Sequence, residues 1–209
     1  MVFSTMKNSN ENIPEKYSKM DKSFIAHLQG KSSETFMPFP RNTTFVGKDN
    51  DEQVILVTRR HWGAFLRQIL LVIFLVILAI VSLLLASKFL GSVLIGLALF
   101  LIIFLIALSI AMFTFLKWFF NVNIITDQRV VDIDIKALFT YQATEARLDK
   151  IEDITTKQVG LLSNFFNIGT VYIQTAGSKA EIEFDEVANP KEVQDILSDL
   201  LELKKGGEI

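Results

Sequence analysis

The sequence predicts an α+β membrane protein: a two-helix transmembrane hairpin followed by an antiparallel β-barrel or sandwich that a C-terminal amphipathic helix closes. Three observations predict it. Two charge-free stretches, 20 residues from Gln68 to Ser87 and 28 from Phe89 to Leu116, each reach the roughly 20 apolar residues that cross a bilayer. After Trp118 the hydrophobic period switches to two, as in half-buried strands. The chain then runs into NPKEVQDILSDLLELKK, where apolar residues return at helical spacing.

Residues 1–48 lack a sustained apolar period and read as a disordered cytoplasmic tail. Inside it Met20, Phe24 and Leu28 recur at i, i+4 and i+8, the spacing of one short amphipathic helix. TFMPFP, Thr35 to Pro40, is held extended by its two prolines, in a form suited to lying along a folded surface. Residues 49–67 carry a strand and a juxtamembrane segment. QVILVT, Gln53 to Thr58, is rich in β-branched residues, and RRHW follows at once. Arg59 and Arg60 suit an anionic lipid surface, and Trp62 suits the headgroup boundary. His61 reads as interfacial, since the other histidine lies in the tail and no carboxylate set accompanies it as metal ligands. Lys117 and Trp118 repeat the pattern after the second span, which completes the expected membrane-interface set.

The transmembrane helices are expected at 68–87 and 89–117, with only Lys88 and a short KFLGS stretch at the tip. Ala79, Ser82 and Ala86 share one helical face, and Ser92 and Gly96 stand four apart on the next helix. Small residues let helix backbones approach closely, so these patches are expected to meet. No ionisable residue lies inside either span, which argues against ion transport by the hairpin alone. Arg59, Arg60 and Arg67 before the first span and Lys117 and Arg129 after the second stand against Lys88 at the tip. The positive-inside rule then places both termini in the cytoplasm, in a multi-pass protein of the cell membrane. The first 40 residues are polar, so no cleaved signal peptide is expected. The absence of cysteine excludes disulfides and Cys-ligated zinc and is compatible with a reducing compartment.

The remaining domain, 118–205, reads as strands. Val131, Ile133 and Ile135 alternate with Asp132, Asp134 and Lys136; Val171 and Ile173 with Tyr172 and Gln174; Ile182 and Phe184 with Glu181, Glu183 and Asp185. This pattern assigns the apolar set to the core and the charged set to solvent. Less regular strands are expected at Asn121–Thr126, Thr140–Leu148 and Ile151–Val159, with LLSNFFNIG as a loop. At the closing helix Asn189 is placed to cap, Pro190 to take the first helical position and Glu192 to complete a capping box. Val193, Ile196, Leu197, Leu200 and Leu201 form its apolar stripe. Six or seven short strands and one closing helix are the order of elements in a pleckstrin-homology-type barrel.

An E-x-V-I-L stretch running into R-R-H-W, a short-tipped helical hairpin, N-x-x-I-T-D-x-R-V-V-D, L-D-K-I-E-D-I-T, F-F-N-I-G-T-V-Y-I-x-T-A-G and a terminal N-P-x-E-V helix resemble bacterial membrane-anchored pleckstrin-homology-like proteins of the YdbS kind. The resemblance covers about Phe45 to Lys205. It implies a PH-like domain on the cytoplasmic face of a bacterial membrane and no particular biochemical activity.

Function follows from what the residues exclude. There is no G-x-S-x-G, H-E-x-x-H or G-x-x-x-x-G-K-[ST], so no catalytic, cofactor-binding or metal-binding residue is assigned and no enzyme or small-molecule substrate is expected. Residues 1–120 hold 12 Lys+Arg and 7 Asp+Glu, net +5, whereas residues 121–209 hold 9 and 16, net −7. An acidic domain does not suit nucleic acid. Its first hairpin offers Arg129 as a candidate lipid or partner contact, yet also Asp127, Asp132 and Asp134, which oppose an anionic leaflet. The expectation is a membrane-tethered protein-interaction or assembly module at the inner membrane surface. Its partners are the bilayer and another protein or a second copy of itself. Lipid-headgroup sensing is the second reading, and a subunit role in a membrane enzyme or transport complex a distant third.

Overall fold

The computed structural model describes residues 33, 35–40, 43–45, 47–89, 91–137, 140–176 and 181–207; Met20, Phe24 and Leu28 lie outside them. The chain divides into two compact units, one built from residues up to Gly63 together with Phe120 onward, the other Ala64–Phe119.

Among its described residues the first unit holds eight strands: β1 (Phe36–Pro38), β2 (Val54–Arg59), β3 (Val122–Thr126), β4 (Arg129–Ala137), β5 (Thr140–Arg147), β6 (Ile151–Lys157), β7 (Ile168–Thr175) and β8 (Glu181–Ala188). They form two antiparallel sheets, β1-β2-β3-β4-β5 and β6-β7-β8, so the architecture is two sheets with a bridge between Arg60 and Val187 and no closed barrel. Two short elements differ from the expectation: the extended TFMPFP stretch is a paired strand rather than only a segment lying along the surface, and part of an expected loop is helical. Phe36–Pro38 pairs with Leu56–Thr58 of β2, which moves the start of the fold into the stretch read as a disordered tail. The physical reason is burial, since Phe36 and Phe39 enter the core. LLSNFF, read as part of a loop, is a six-residue helix α3 (Leu161–Phe166), and NIG belongs to the strand that follows it.

The main core fills the space between the sheets. Phe36, Ile55, Leu56, Ile125, Val130, Leu148, Ile173, Ile182 and Phe184 meet there with Val193, Ile196, Leu197 and Leu200 of helix α4 (Pro190–Gly206). Consecutive Ile55 and Leu56 both point inward because the β2–β3 register shifts between Val54 and Leu56, and a bulge breaks strict alternation. The stripe expected on the closing helix is the one that packs, with Leu201 partly buried beside it. Asn189 does not cap: it sits in the left-handed region without a side-chain cap bond, and its Oδ1 accepts from Asn167 Nδ2 at 2.7 Å.

A second cluster covers the outer face of the five-stranded sheet, where Met37 and Phe45 lie with Val54, Val57, Val122, Ile124 and Val131. The pairing of neighbours on β4 therefore reverses the expected faces. Val130 belongs to the inner core and Val131 to the outer cluster, so Asp132 and Asp134, in step with Val130, face inward. Alternation identifies two faces; it does not say which one the second sheet covers.

The second unit is a helical hairpin of α1 (Leu66–Phe89) and α2 (Val93–Phe120), apart from the residues that flank it. Both helices are long and apolar enough to cross a membrane, over Trp62–Ala86 and Val93–Phe120. Ala79, Ala86, Gly96 and Ala107 are buried. A Cβ on Gly96 would stand 3.0 Å from the Leu83 carbonyl oxygen and 3.2 Å from Ala86 Cβ, so the small-residue patches meet as expected. Hydroxyls within the helices donate to carbonyls of their own helix, Ser82 to Ala79, Ser109 to Leu105 and Thr114 to Ile110, each at 2.8 Å.

Candidate functional site

The inner face of the five-stranded sheet is apolar at one end and polar at the other. On β3 Ile125 gives way to Asn123 and then Asn121, on β4 Val130 to Asp132 and Asp134, and on β5 Ala146 to Thr144 and Gln142. Register aligns Thr58, Asn123, Asp132 and Thr144 as one row across four strands. At this end the core is replaced by a cavity of about 200 Å³, closed on its other side by Glu181, Ile182, Glu183 and Asp185 of β8 and by Arg60.

The lining is acidic. Asp132, Asp134, Glu181, Glu183 and Asp185 line the cavity, and among the described lining residues Arg60 is the one cation; its NH2 donates to Asp185 Oδ2 at 2.6 Å and its Nε lies 3.6 Å from Glu186 Oε2. Asn121 Nδ2 donates to Asp134 Oδ1 at 2.5 Å, and Gln142 Nε2 donates to the Thr144 hydroxyl at 3.2 Å. Glu181 and Glu183 have no basic partner among the described residues. Asn123 is only 6% exposed. The Thr58 hydroxyl beside it in the row is buried without a partner. Tyr172, opposite Glu183 in register, registers the local field: burial and then Glu183, Asp185 and Glu181 hold its phenol above its ordinary value. The cleft therefore offers negative charge, amides and an unpartnered hydroxyl to a ligand that brings positive charge and N–H donors. No three His, Asp or Glu side chains converge as metal ligands among the described residues.

The residues singled out by sequence fall into three places. Arg59 is buried at the end of β2, and Arg60 lines the cleft. His61 N donates to the Glu186 carbonyl at 3.0 Å, and its Nδ1 accepts from Gly63 N–H at 3.0 Å. Burial holds its pKa below the ordinary value. Trp62 stays half exposed and meets the Phe166 ring edge-on, with centroids 5.3 Å apart. Lys117 and Trp118 lie in the last turn of α2, where Lys117 Nζ stands 4.8 Å over the Phe113 ring and Trp118 packs against Phe115.

Arg129 is committed inside the fold. Its Nε and NH2 donate to Glu52 Oε1 and Oε2 at 3.0 and 2.8 Å, NH1 donates to Glu145 Oε2 at 3.0 Å, and NH2 also donates to the Gly47 carbonyl. Its face lies 5.6 Å from the Phe45 ring centre. Four of the five guanidinium N–H groups are thereby used, which leaves little for a headgroup phosphate. Sequence reasoning missed Asn121, Asn123, Gln142 and Thr144. The available signal was that polar residues recur at matching positions of three successive strands, in step with Asp132 and Asp134.

The model of the family described as Bacterial PH domain matches residues 55–201, from β2 through the helical hairpin to α4. Among solved structures, the chain is similar to a DUF1696 family protein with a pleckstrin-homology domain from Shewanella loihica PV-4, at 9% identity, covering 74% of this chain and 83% of that one. The TM-score of 0.38 is too low to carry an inference. No curated protein matches.

Proposed function

The chain belongs to the bacterial PH domain family, and on that premise we propose that it is a membrane-tethered interaction module that presents the acidic cleft to a protein partner at the inner membrane surface. The cleft is the observation that carries this reading. A reader of anionic headgroups needs cations at its binding face, whereas the described residues lining this cleft include five carboxylates and one arginine that Asp185 already holds. A basic segment of a protein, or of a second copy of the chain, supplies the complementary charge.

Tethering is supported by the hairpin's own surface. Leu70, Phe74, Leu84, Leu94 and Leu105 are each more than half exposed, and an apolar surface of this extent requires cover by lipid or protein. All ionisable groups lie outside the long apolar stretches except Lys88 at the tip and Arg67 and Lys117 at the ends. Arginine and tryptophan before the first helix and lysine and tryptophan at the end of the second are the residues that favour membrane boundaries. With membrane proximity supplied by the spans, the domain's surface is left for a partner, and no catalytic role is assigned to it.

The test is a photo-crosslinking residue at Gln142, on the cleft, in the full chain in native membranes. The expected result is a discrete protein adduct, absent when the same group replaces Glu202 on the exposed face of α4. Adducts with lipid alone would overturn this reading in favour of headgroup sensing.

A further inference from the structure

Large apolar side chains stand in solvent on and beside α3: Leu161 is 89% exposed, Phe165 82%, Val159 68% and Leu162 54%. On a six-residue helix Leu161, Leu162 and Phe165 fall at i, i+1 and i+4 and so share one side. Phe166 is turned the other way, onto Trp62 and His61. The helix is not there by propensity alone, since six residues are far below the length that is stable in isolation. Gly160 at φ 96° and Asn167 in the left-handed region delimit it. Gln158 Nε2 donates to Asn167 Oδ1 at 2.9 Å, and Asn167 donates onward to Asn189. Gly169 keeps the base tight, since a Cβ there would stand 2.8 Å from the Lys157 carbonyl oxygen and 2.9 Å from Pro190 Cγ. A fixed scaffold thus presents four greasy side chains outward.

We propose that this patch is a third membrane contact, with α3 lying in the acyl-chain boundary of the same bilayer that holds the two spans. The proposal rests on the tethering just described. Two observations choose lipid over another occupant. The first is continuity: Trp62, which touches Phe166 on the other side of α3, is also the first residue of the apolar stretch Trp62–Ala86, so the helix that carries the patch is packed on the residue where that stretch begins. The second is charge. From Ile154 to Ala180 there is no Asp or Glu, although residues 121–209 are net −7, and exposed Lys157 flanks the patch. The stretch of chain that carries the patch thus lacks the carboxylates that an anionic leaflet would repel, while five line the cleft. An interfacial helix buries its apolar side by about 5–10 Å, which places Leu161 and Phe165 below the headgroups.

The chain has no cysteine, so single cysteines report cleanly. Leu161→Cys and, separately, Phe165→Cys would carry an environment-sensitive NBD label in the full chain reconstituted in phosphatidylcholine–phosphatidylglycerol vesicles. Leu101→Cys in α2 marks the span, and Glu183→Cys on the cleft rim marks the aqueous surface. The expected result is blue-shifted emission at 161 and 165 that lipids brominated near the headgroup end of the acyl chain quench, with Leu101 quenched and Glu183 untouched. Quenching at Leu101 but not at 161 or 165 would overturn the third contact and leave the tether standing. Quenching at none of these would remove the tether as well. A blue shift at 161 that ignores brominated lipid and grows with protein-to-lipid ratio would show that a second copy covers the patch, and would also overturn the proposal.

Discussion

Arg129 carries opposite meanings in the sequence and in the fold. As a basic residue of the first hairpin it invites a phosphate; in the fold it neutralises Glu52, whose side chain is fully buried. Burial raises the Glu52 pKa, but the hydrogen bonds from Arg129 and Thr126, the Asp49 amide and the Arg129 charge outweigh it and bring the value below the ordinary 4.5. Arg129→Ala leaves a buried carboxylate without its partner and is expected to cost about 3–5 kcal/mol. Arg129→Lys is expected to fall between, because an ammonium lacks the planar fork. Thermal unfolding of the full chain in detergent ranks them. The acid limb separates two groups by sign. His61, held below 6.5 by burial, favours the folded state when neutral, so its contribution is complete above 6.5 and is lost as pH falls from there toward the folded value. Glu52 contributes fully above 4.5 and is lost as pH falls through its lower folded value. His61→Gln is therefore expected to flatten the loss of stability just below pH 6.5 while leaving the loss below 4.5 in place.

Among the elements, α4 was the most legible, because 3.6-residue periodicity fixes one buried side without reference to any partner. Leu197→Ala is expected to cost about 2–5 kcal/mol, and Glu202→Ala, on the exposed side, no more than about 0.5 kcal/mol. Equal losses in the same melts would contradict the packing. The two long apolar helices of the hairpin were also readable, though not their bounds, and so was the meeting of Gly96 with Ala86. Gly96→Val is expected to force the helices apart at a cost of about 1–3 kcal/mol, as overpacking does, seen as a lowered unfolding temperature of the full chain in detergent. The strands were readable as elements and misread as surfaces. On β4 the apolar row Val131 and Ile133 lies against Met37 and Phe45, a cover supplied from about ninety residues earlier in the chain. No local pattern on β4 contains that information, so the inward turn of Asp132 and Asp134, and with it the cleft, was hidden. For α3 a local sign did exist in Gly160 and Asn167 bracketing LLSNFF, but a helix this short is decided by what packs behind it.

On the scale of the molecule, the folded domain is assembled from both sides of the hairpin. Ile55, Leu56 and Thr58 of β2 sit in the same sheet as β3, and only Asn121 separates α2 from β3. Residues 121–209 alone would lack β1 and β2 and the core side chains they bring, so experiments belong on the full chain. The division of charge, +5 before residue 121 and −7 after it, then has a spatial sense: acid lines the cleft proposed to meet a partner and is absent from the segment proposed to meet lipid. All of this requires that the hairpin cross the bilayer and leave the whole PH-like unit on one face. The direct measurement is labelling of single cysteines at Val93 in the hairpin tip and at Glu202 on α4 by a membrane-impermeant maleimide, in spheroplasts whose membranes resist alkaline extraction of the protein. The account requires labelling at Val93 alone, with Glu202 reached only after the membrane is broken. Labelling at Glu202 in intact spheroplasts, or release of the chain by alkali, would contradict it.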